Sequence, residues 1–366
     1  MPARSSMGSI GKILGYVLLF FNAVIVVLML VSAYSPHVDP QSHPFWACAG
    51  LFFPIWLFLN LLFLCFWLVA YWRYAFLPVL SMILCWGTIR DYCPINGWSG
   101  RAPENSIKLL TYNTRAFALK APHTKEKPNA VLEYLQQSDA DIICLQEYIW
   151  GGKLKRKDID YALRSYPYKH YQALGKGYNG LACYSRYPIL SAKQLKSTAR
   201  LHGSVAYRVK VGADTLLLIN NHLESNKILK SDVEVYQGMV DDPDGEKIYS
   251  GMQKLMGKIA KATRIRAEQV DVLAEAVENA PEKHIVVCGD FNDTPVSYAH
   301  QTLGRTLKDA FAEAGNGLGI SYNQHRMYFR IDHILLSRNV KLHECVVDDT
   351  TDASDHYPVW CSISFE

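Results

Sequence analysis

Charge is what the first hundred residues of this 366-residue chain lack. Of its 38 basic and 34 acidic residues, only Arg4, Lys12, Arg73, Arg90, Asp39 and Asp91 fall before Arg101. An excess of one sign is missing as well. The net charge of +4 excludes a strongly basic nucleic-acid coat, so any anion binding must come from a local patch. No CxxC spacing occurs among the nine cysteines, so they outline neither a metal site nor a disulfide framework. Internal repeats and low-complexity tracts are absent too. With 49% hydrophobic and 20% charged residues, the composition excludes a disordered or collagen-like chain.

Long hydrophobic runs fill the space that charge leaves. Residues 13–34 carry no charge and are interrupted only by Gly15, Asn22 and Ser32. A helix of that length can cross a hydrocarbon core of about 30 Å. The run is too long for a secretory leader and lacks a clean small-x-small cleavage site. Residues 45–71 form a second uncharged run, long enough to span with tilt. Residues 74–89 are a shorter third run, with Trp86 and Tyr92 suited to an interfacial belt; a buried or re-entrant helix is its alternative. Arg4 and Lys12 flank the first run, and Arg73 lies in the second loop. The first loop has no Lys or Arg. Three spans with that bias place residues 1–92 as a membrane anchor and the rest of the chain outside the cytoplasm.

Residues 93–105 hold Pro94, Gly97, Gly100 and Pro103 and read as a linker. Short apolar runs then recur at 107–112, 141–145, 180–184, 215–220, 284–288, 330–336 and 359–363, each of strand length. Helical periodicity separates some of them, at 129–137 and 254–277. This order predicts an α+β domain over 106–366, two packed sheets with helices outside. Cys144, Cys183, Cys288 and Cys361 fall within strand runs, where a thiol acts as a small core residue. Residues 226–263 stand apart as an excursion above a strand end, read first as a surface helical hairpin.

Several strand runs end in polar residues that packing does not require. These are Tyr112-Asn113, Leu145-Gln146-Glu147, Asn221-His222-Leu223, Gly289-Asp290-Phe291-Asn292, Ile331-Asp332-His333 and Ser354-Asp355-His356. One such ending is commonly a turn cap; the set suits phosphoester hydrolysis. Glu147 and Asp355 are hard oxygen ligands for Mg²⁺ or Mn²⁺, with Asn113 a neutral oxygen beside them. Asp290 can orient or deprotonate a water, and Asn292 can hold that water or a phosphate oxygen. His356, backed by a carboxylate such as Asp332, becomes a protonated imidazole, and His222 can donate to another oxygen. Neither a cysteine nor a serine with a base at motif spacing suggests a covalent route.

In this order the motifs resemble the endonuclease/exonuclease/phosphatase superfamily, the group of deoxyribonuclease I, sphingomyelinases and inositol-polyphosphate phosphatases. The resemblance covers about residues 106–366. It implies a four-layer α/β sandwich with the active site at one edge of the sheets. It also implies Glu147 as main metal ligand with Asn113 and Asp355 nearby, Asp290 and Asn292 acting on water and phosphate, an Asp332–His356 pair, and His222 on the phosphate. Residues 226–263 and the apolar N-terminal runs lie outside the common core.

The family sets the bond class and leaves the substrate open. A basic run, Lys153, Lys155, Arg156 and Lys157, follows Glu147 closely. It suits flanking nucleic-acid phosphates or anionic head groups, unless it is only a solvated loop. The expectation leans to a membrane-anchored, nuclease-like phosphodiesterase. A lipid head-group or small-molecule phosphoesterase is the alternative, and a non-catalytic membrane adaptor the remote one. No protein partner is implied.

Overall fold

A computed structural model describes residues 9–97, 102–177, 179–228, 230–241, 244–324 and 327–365. Arg4, the middle of the linker (98–101), Asp242 and Pro243 of the polar turn, and Glu366 lie outside the described residues.

The N-terminal region holds five helices: α1 (Ser9–Tyr34), α2 (Pro44–Ala47), α3 (Phe53–Ala70), α4 (Phe76–Leu84) and α5 (Trp86–Tyr92). Two stretches, Gly11–His37 and Pro44–Ala70, are long and apolar enough to cross a membrane. The polar interruptions of these runs satisfy one another. Asn22 Nδ2 donates to Asn60 Oδ1 at 3.5 Å, and Trp67 Nε1 donates to Asn22 Oδ1 at 2.9 Å, all three residues being fully buried. Unpaired amides there would cost several kcal/mol, on the order of 2–7, so the pairing locks α1 against α3. Residues 74–89 are not one continuous helix. α4 and α5 meet at 67° across Cys85. The bend turns α5 toward the C-terminal domain, where Arg90 pairs with Glu313 at 2.9 Å and Arg330 donates to the Asp91 carbonyl.

The C-terminal domain has two six-stranded mixed sheets. The first is ordered β13 (Val340–Val347), β14 (Val359–Phe365), β1 (Ile107–Asn113), β2 (Ile142–Gln146), β4 (Asn179–Ser185), β3 (Tyr168–Leu174). The second is ordered β5 (Ile189–Gln194), β6 (Gly203–Val211), β7 (Asp214–His222), β8 (His284–Asp290), β12 (Asp332–Ser337), β9 (Leu307–Asp309). A two-stranded ribbon, β10 (Tyr322–Gln324) with β11 (Met327–Phe329), stands apart. Each large sheet has one parallel pair, β1–β2 and β7–β8. Parallel neighbours need a crossover, and a helix supplies each: α7 (Ala130–Gln137) for the first pair and α10 (Gly245–Glu278) for the second. A short helical segment, α6 (Arg115–Lys120), follows β1, α8 (Arg156–Ala162) follows β2, α9 (Lys230–Asp241) precedes α10, and α11 (Tyr298–Gly304) and α12 (Ala310–Ala314) lie between β8 and β10.

The alternation of strand side chains builds three apolar layers. Leu109, Ile142, Cys144, Cys183, Leu218, Val286, Cys288 and Cys361 fill the space between the sheets. Val131, Leu132 and Leu135 of α7 cover the outer face of the first sheet, and Val270, Leu273 and Val277 of α10 cover the second. The result is the four-layer sandwich expected from the strand and helix order. All nine cysteines are free thiols.

Gly289 ends the run Val286-Val287-Cys288 at φ +135°, and a Cβ there would sit 2.0 Å from the Asn221 carbonyl oxygen of β7. Only glycine lets β7 approach closely enough to pair through His222 and Asp290. Gly289→Ala is therefore expected to destabilise the protein by about 3 kcal/mol. Gly212→Ala, in the β6–β7 turn with no atom within 4 Å of a new Cβ, should cost clearly less. Thermal unfolding of the two variants, side by side, checks the ranking; equal midpoints would refute the close-approach argument.

Candidate active site

Register brings the polar strand ends together. Across the second sheet, His222 of β7 pairs with Asp290 of β8, which pairs with Asp332 of β12. In the first sheet, Asn113 lies opposite Gln146, and Glu147 follows directly. The two rows meet edge to edge: Asn113 Nδ2 donates to Asp290 Oδ2 at 3.0 Å and reaches Glu147 Oε1 at 3.5 Å. Deeper between the sheets, Gln146 Nε2 donates to Asn220 Oδ1 at 2.7 Å. That second polar link explains an amide in place of an aliphatic side chain at the end of β2 and two residues before the end of β7.

His356 enters just before β14. Its Nδ1 lies 2.7 Å from Asp332 Oδ2 and its Nε2 lies 3.8 Å from Asp290 Oδ2. All three groups are buried. Burial alone would lower the imidazole pKa, but Asp332 and Asp290 outweigh it and hold His356 up to about 10. It is an imidazolium at neutral pH. Burial pushes the Asp290 carboxyl up to about 7, against the pull of His356. Burial also raises Glu147, again opposed by His356.

His222 is set differently. Burial and the neighbouring His202 and His356 hold its pKa well below the usual imidazole value, so it is neutral. Asn179 Nδ2 can only donate, so at 3.3 Å from His222 Nδ1 it fixes the ring proton on Nε2. That N–H lies 3.5 Å from Asp290 Oδ2. Asn292 adopts φ +52°, donates its backbone N–H to Asp290 Oδ1 at 2.8 Å and spends one amide hydrogen on the Leu223 carbonyl at 2.9 Å. Asp290 is thus met by Asn113, His222, Asn292 and His356.

Glu147 and Asp355 form the outer side of the site. Glu147 is half-buried with φ +49°. Asp355 is one-fifth exposed and pairs with Arg115 Nε at 3.2 Å. The Asn113 oxygen accepts the Arg115 backbone N–H at 3.1 Å, so its nitrogen, not its oxygen, faces the carboxylates. Arg115 opens six consecutive left-handed residues, Arg115–Lys120, with φ from 46° to 63°. For L-residues this costs about 1–2 kcal/mol each, strain stored immediately after Asn113. The basic run is not drawn into this cluster. Lys153 and Lys155 are exposed, and Arg156 packs over the Trp150 ring at 5.4 Å and lies 3.7 Å from Asp160.

Several residues here carried no motif signal. Asn179 and His202 lie far from any polar strand ending in sequence. His202 stacks edge-on against His222 at 4.6 Å and pairs with Glu224 at 3.0 Å. Ser354 Oγ donates to the Asn113 carbonyl at 2.8 Å and tethers the Ser-Asp-His segment to β1. Strand alternation sends His333, next to Asp332, into a separate buried cluster with His300 and Asp309. There the Arg330 guanidinium already holds Asp309 at 2.9 Å, so that group is neutralised by the protein itself.

The donor chemistry fits a divalent cation on the Glu147 side. Glu147 is an oxygen donor whose burial is offset by one long amide contact, the Asp355 carboxylate is close enough to oppose its ionisation while itself pairing with Arg115, and hard oxygen donors suit Mg²⁺ or Mn²⁺. The buried Asp332 Oδ1 also lacks a partner.

Comparison with known proteins gives the same outline. A sequence model described as the endonuclease/exonuclease/phosphatase family matches residues 110–356, and one for a domain of unknown function matches residues 15–92. No curated protein matches the chain. Among solved structures, the human Nocturnin catalytic domain with bound sulfate is 16% identical, with a TM-score of 0.51 over 73% of this chain and 97% of that one. An endonuclease/exonuclease/phosphatase from Bacteroides vulgatus is 16% identical, with a TM-score of 0.50 over 72% of this chain and all of that one. A protein of that family from Bacteroides thetaiotaomicron is also 16% identical, with a TM-score of 0.50 over 73% of this chain and all of that one. At these identities the likeness shows the fold.

Asp332→Asn removes one of the two carboxylates that keep His356 charged. Its folded-state pKa lies above the unfolded value, so losing a raising partner must move the titration down. The His356 ring-proton NMR titration should shift lower by about one to two pH units. An unchanged midpoint would show that Asp332 does not hold the imidazolium.

Proposed function

This chain belongs to the endonuclease/exonuclease/phosphatase family, and from that premise we propose that it is a membrane-anchored phosphoester hydrolase dependent on Mg²⁺ or Mn²⁺. The observation that carries the reading is the inter-sheet cluster of Asn113, His222, Asp290, Asp332 and His356, with Glu147 at its rim. Nothing in it resembles a covalent nucleophile; everything in it handles water, protons and anionic oxygens.

The protein's groups divide the work. The His356 imidazolium, fixed by Asp332, donates to one non-bridging oxygen of the phosphoester. Neutral His222 donates its Nε2 proton to another. Positioned donors of this kind stabilise the charge that builds on a five-coordinate phosphorus. Asp290, with a carboxyl near 7, orients a water opposite the leaving oxygen and accepts its proton. Asn292 holds the turn that presents Asp290. Glu147 and Asp355 would hold the cation, which supplies charge neutralisation and a template for phosphate when bound; the Asn113 amide, its oxygen taken by the Arg115 N–H, orients Asp290 and Glu147 beside it.

The basic run Lys153, Lys155 and Arg156 supports a nuclease-like phosphodiesterase, with flanking phosphates on this exposed loop. The apolar N-terminal helices support attachment to a membrane. Lys12 before the first span and Arg73 after the second support a catalytic domain on the extracytoplasmic side.

The full chain should hydrolyse bis-p-nitrophenyl phosphate with Mg²⁺ or Mn²⁺ and lose that activity in EDTA. Glu147→Ala and His356→Ala should each lower kcat at least about 10²-fold. Turnover that survives EDTA, or full activity in both variants, would exclude this mechanism and leave the adaptor reading.

A further inference from the structure

Among the described residues, the close contacts that join the N-terminal segment to the catalytic domain gather at one end of the second sheet. Gly50 lies against Val296, where a Cβ would meet the Val296 carbonyl at 1.9 Å, and Val296 is six residues after Asp290. Arg330 bonds to the Asp91 carbonyl, two residues before Asp332. Asn96 donates to the Ala312 and Gly315 carbonyls at 3.0 and 2.8 Å, just after β9. Cys48 Sγ lies 3.4 Å from Thr263 Oγ1, and Gln41 donates to the Arg264 carbonyl at 2.9 Å. Arg266, half a turn further on, bonds to the Glu224 carbonyl and to Asp293. β7 and β8 end, β12 begins and β9 ends toward this side. It is the side on which His222, Asp290 and Asp332 lie.

Depth follows from helix length. α3 has 18 residues, about 27 Å at about 1.5 Å per residue, barely enough for a core of about 30 Å. Phe53, its first residue, lies within the longer apolar stretch Pro44–Ala70, at or inside the apolar boundary. Val296 packs into the same cluster as Phe53, Met29, Ala33 and Cys85. Val296 follows Asn292 by four positions, at most about 14 Å of chain. The catalytic cluster lies within reach of the head-group layer.

A third observation comes from residues 226–263, which leave β7 at this same end. The first turns of α10 expose Ile248, Tyr249 and Met252 by 39, 73 and 40%, on adjoining positions of one helix face. Further along, α10 packs on α2, whose Phe45 and Trp46 are 59 and 62% exposed. Trp, Tyr and aliphatic side chains next to membrane-length helices have the composition of an interfacial surface.

We propose that the catalytic cleft opens onto the bilayer, that the first turns of α10 rest in its interface, and that the substrate is a phosphodiester carried in that same bilayer, a phospholipid head group. Water adds across one P–O bond, leaving a phosphomonoester on one fragment and an alcohol on the other, with no redox partner. This rests on the phosphoester-hydrolase reading above and sets a lipid head group in place of the nucleic-acid phosphates of its nuclease-like form.

The test uses the full chain reconstituted with Mn²⁺ in liposomes of phosphatidylcholine with phosphatidylglycerol, phosphatidylinositol or sphingomyelin. At constant bulk lipid, release of the water-soluble head group should follow the surface mole fraction of one of these lipids. The double variant Ile248→Glu/Tyr249→Glu should lower that rate about tenfold or more, with bis-p-nitrophenyl phosphate turnover within about twofold of the parent. Three results overturn the proposal while the hydrolase reading stands: bis-p-nitrophenyl phosphate is cleaved and none of the lipids is, single-stranded DNA is cleaved in preference to them, or the variant slows both substrates equally. Failure of the parent protein on bis-p-nitrophenyl phosphate overturns the hydrolase reading itself and the proposal with it.

Discussion

The buried carboxylate of Asp290 is the point on which the domain's geometry depends. A carboxylate without access to water is costly unless it is hydrogen-bonded and charge-compensated. Asn113 comes to it from the other sheet, Asn292 from the following turn, His222 from the adjacent strand and His356 from the loop before β14. Each of these partners reaches it only if the two sheets are packed face to face with their strand ends aligned. Gly289 permits that register by letting β7 close on β8. The same convergence that satisfies Asp290 leaves two imidazoles in opposite states, His356 charged and His222 neutral, at 3.8 and 3.5 Å from the same carboxylate oxygen.

The N-terminal helices solve a different problem by a related means. Their interior polar groups cannot be left to a hydrocarbon solvent, so Asn22, Asn60 and Trp67 bond to one another. Where the N-terminal segment meets the catalytic domain, polar and apolar contacts lie side by side: Arg90 with Glu313, Asn96 with the Ala312 and Gly315 carbonyls, Gly50 beneath Val296. The loop that carries Asn292 is therefore continuous with the segment that docks on the helices. Position relative to that end of the bundle is a property of the active-site loop and not only of the chain's N-terminus.

Much of this was legible in the chain. The short apolar runs of the core strands, the helical period of α7 and α10, and the polar ends of β1, β2, β7 and β8 are local features, and local features survive in sequence. The structure gathers Asn113, Glu147, His222, Asp290, Asn292, Asp332, Asp355 and His356 at one edge of the sandwich, because each follows or opens a strand. Less was legible where a contact depends on distant segments. Asn179 and His202 reach His222 from β4 and the start of β6, and no spacing announces them. Alternation in β3, β5 and β13 is weak, since these are edge strands with most positions half-exposed or exposed. The bend at Cys85 is likewise invisible in an uninterrupted apolar run, because it follows from docking of α5 on the domain.

The central claim is that one edge of the sandwich is built to hold a divalent cation beside the Asp290–His356 cluster. Anomalous scattering from crystals grown with Mn²⁺ tests this directly. The account predicts a peak about 2.0–2.2 Å from a Glu147 carboxylate oxygen. A peak in the His300–Asp309–His333 cluster instead, or none near Glu147 at saturating Mn²⁺, would contradict it.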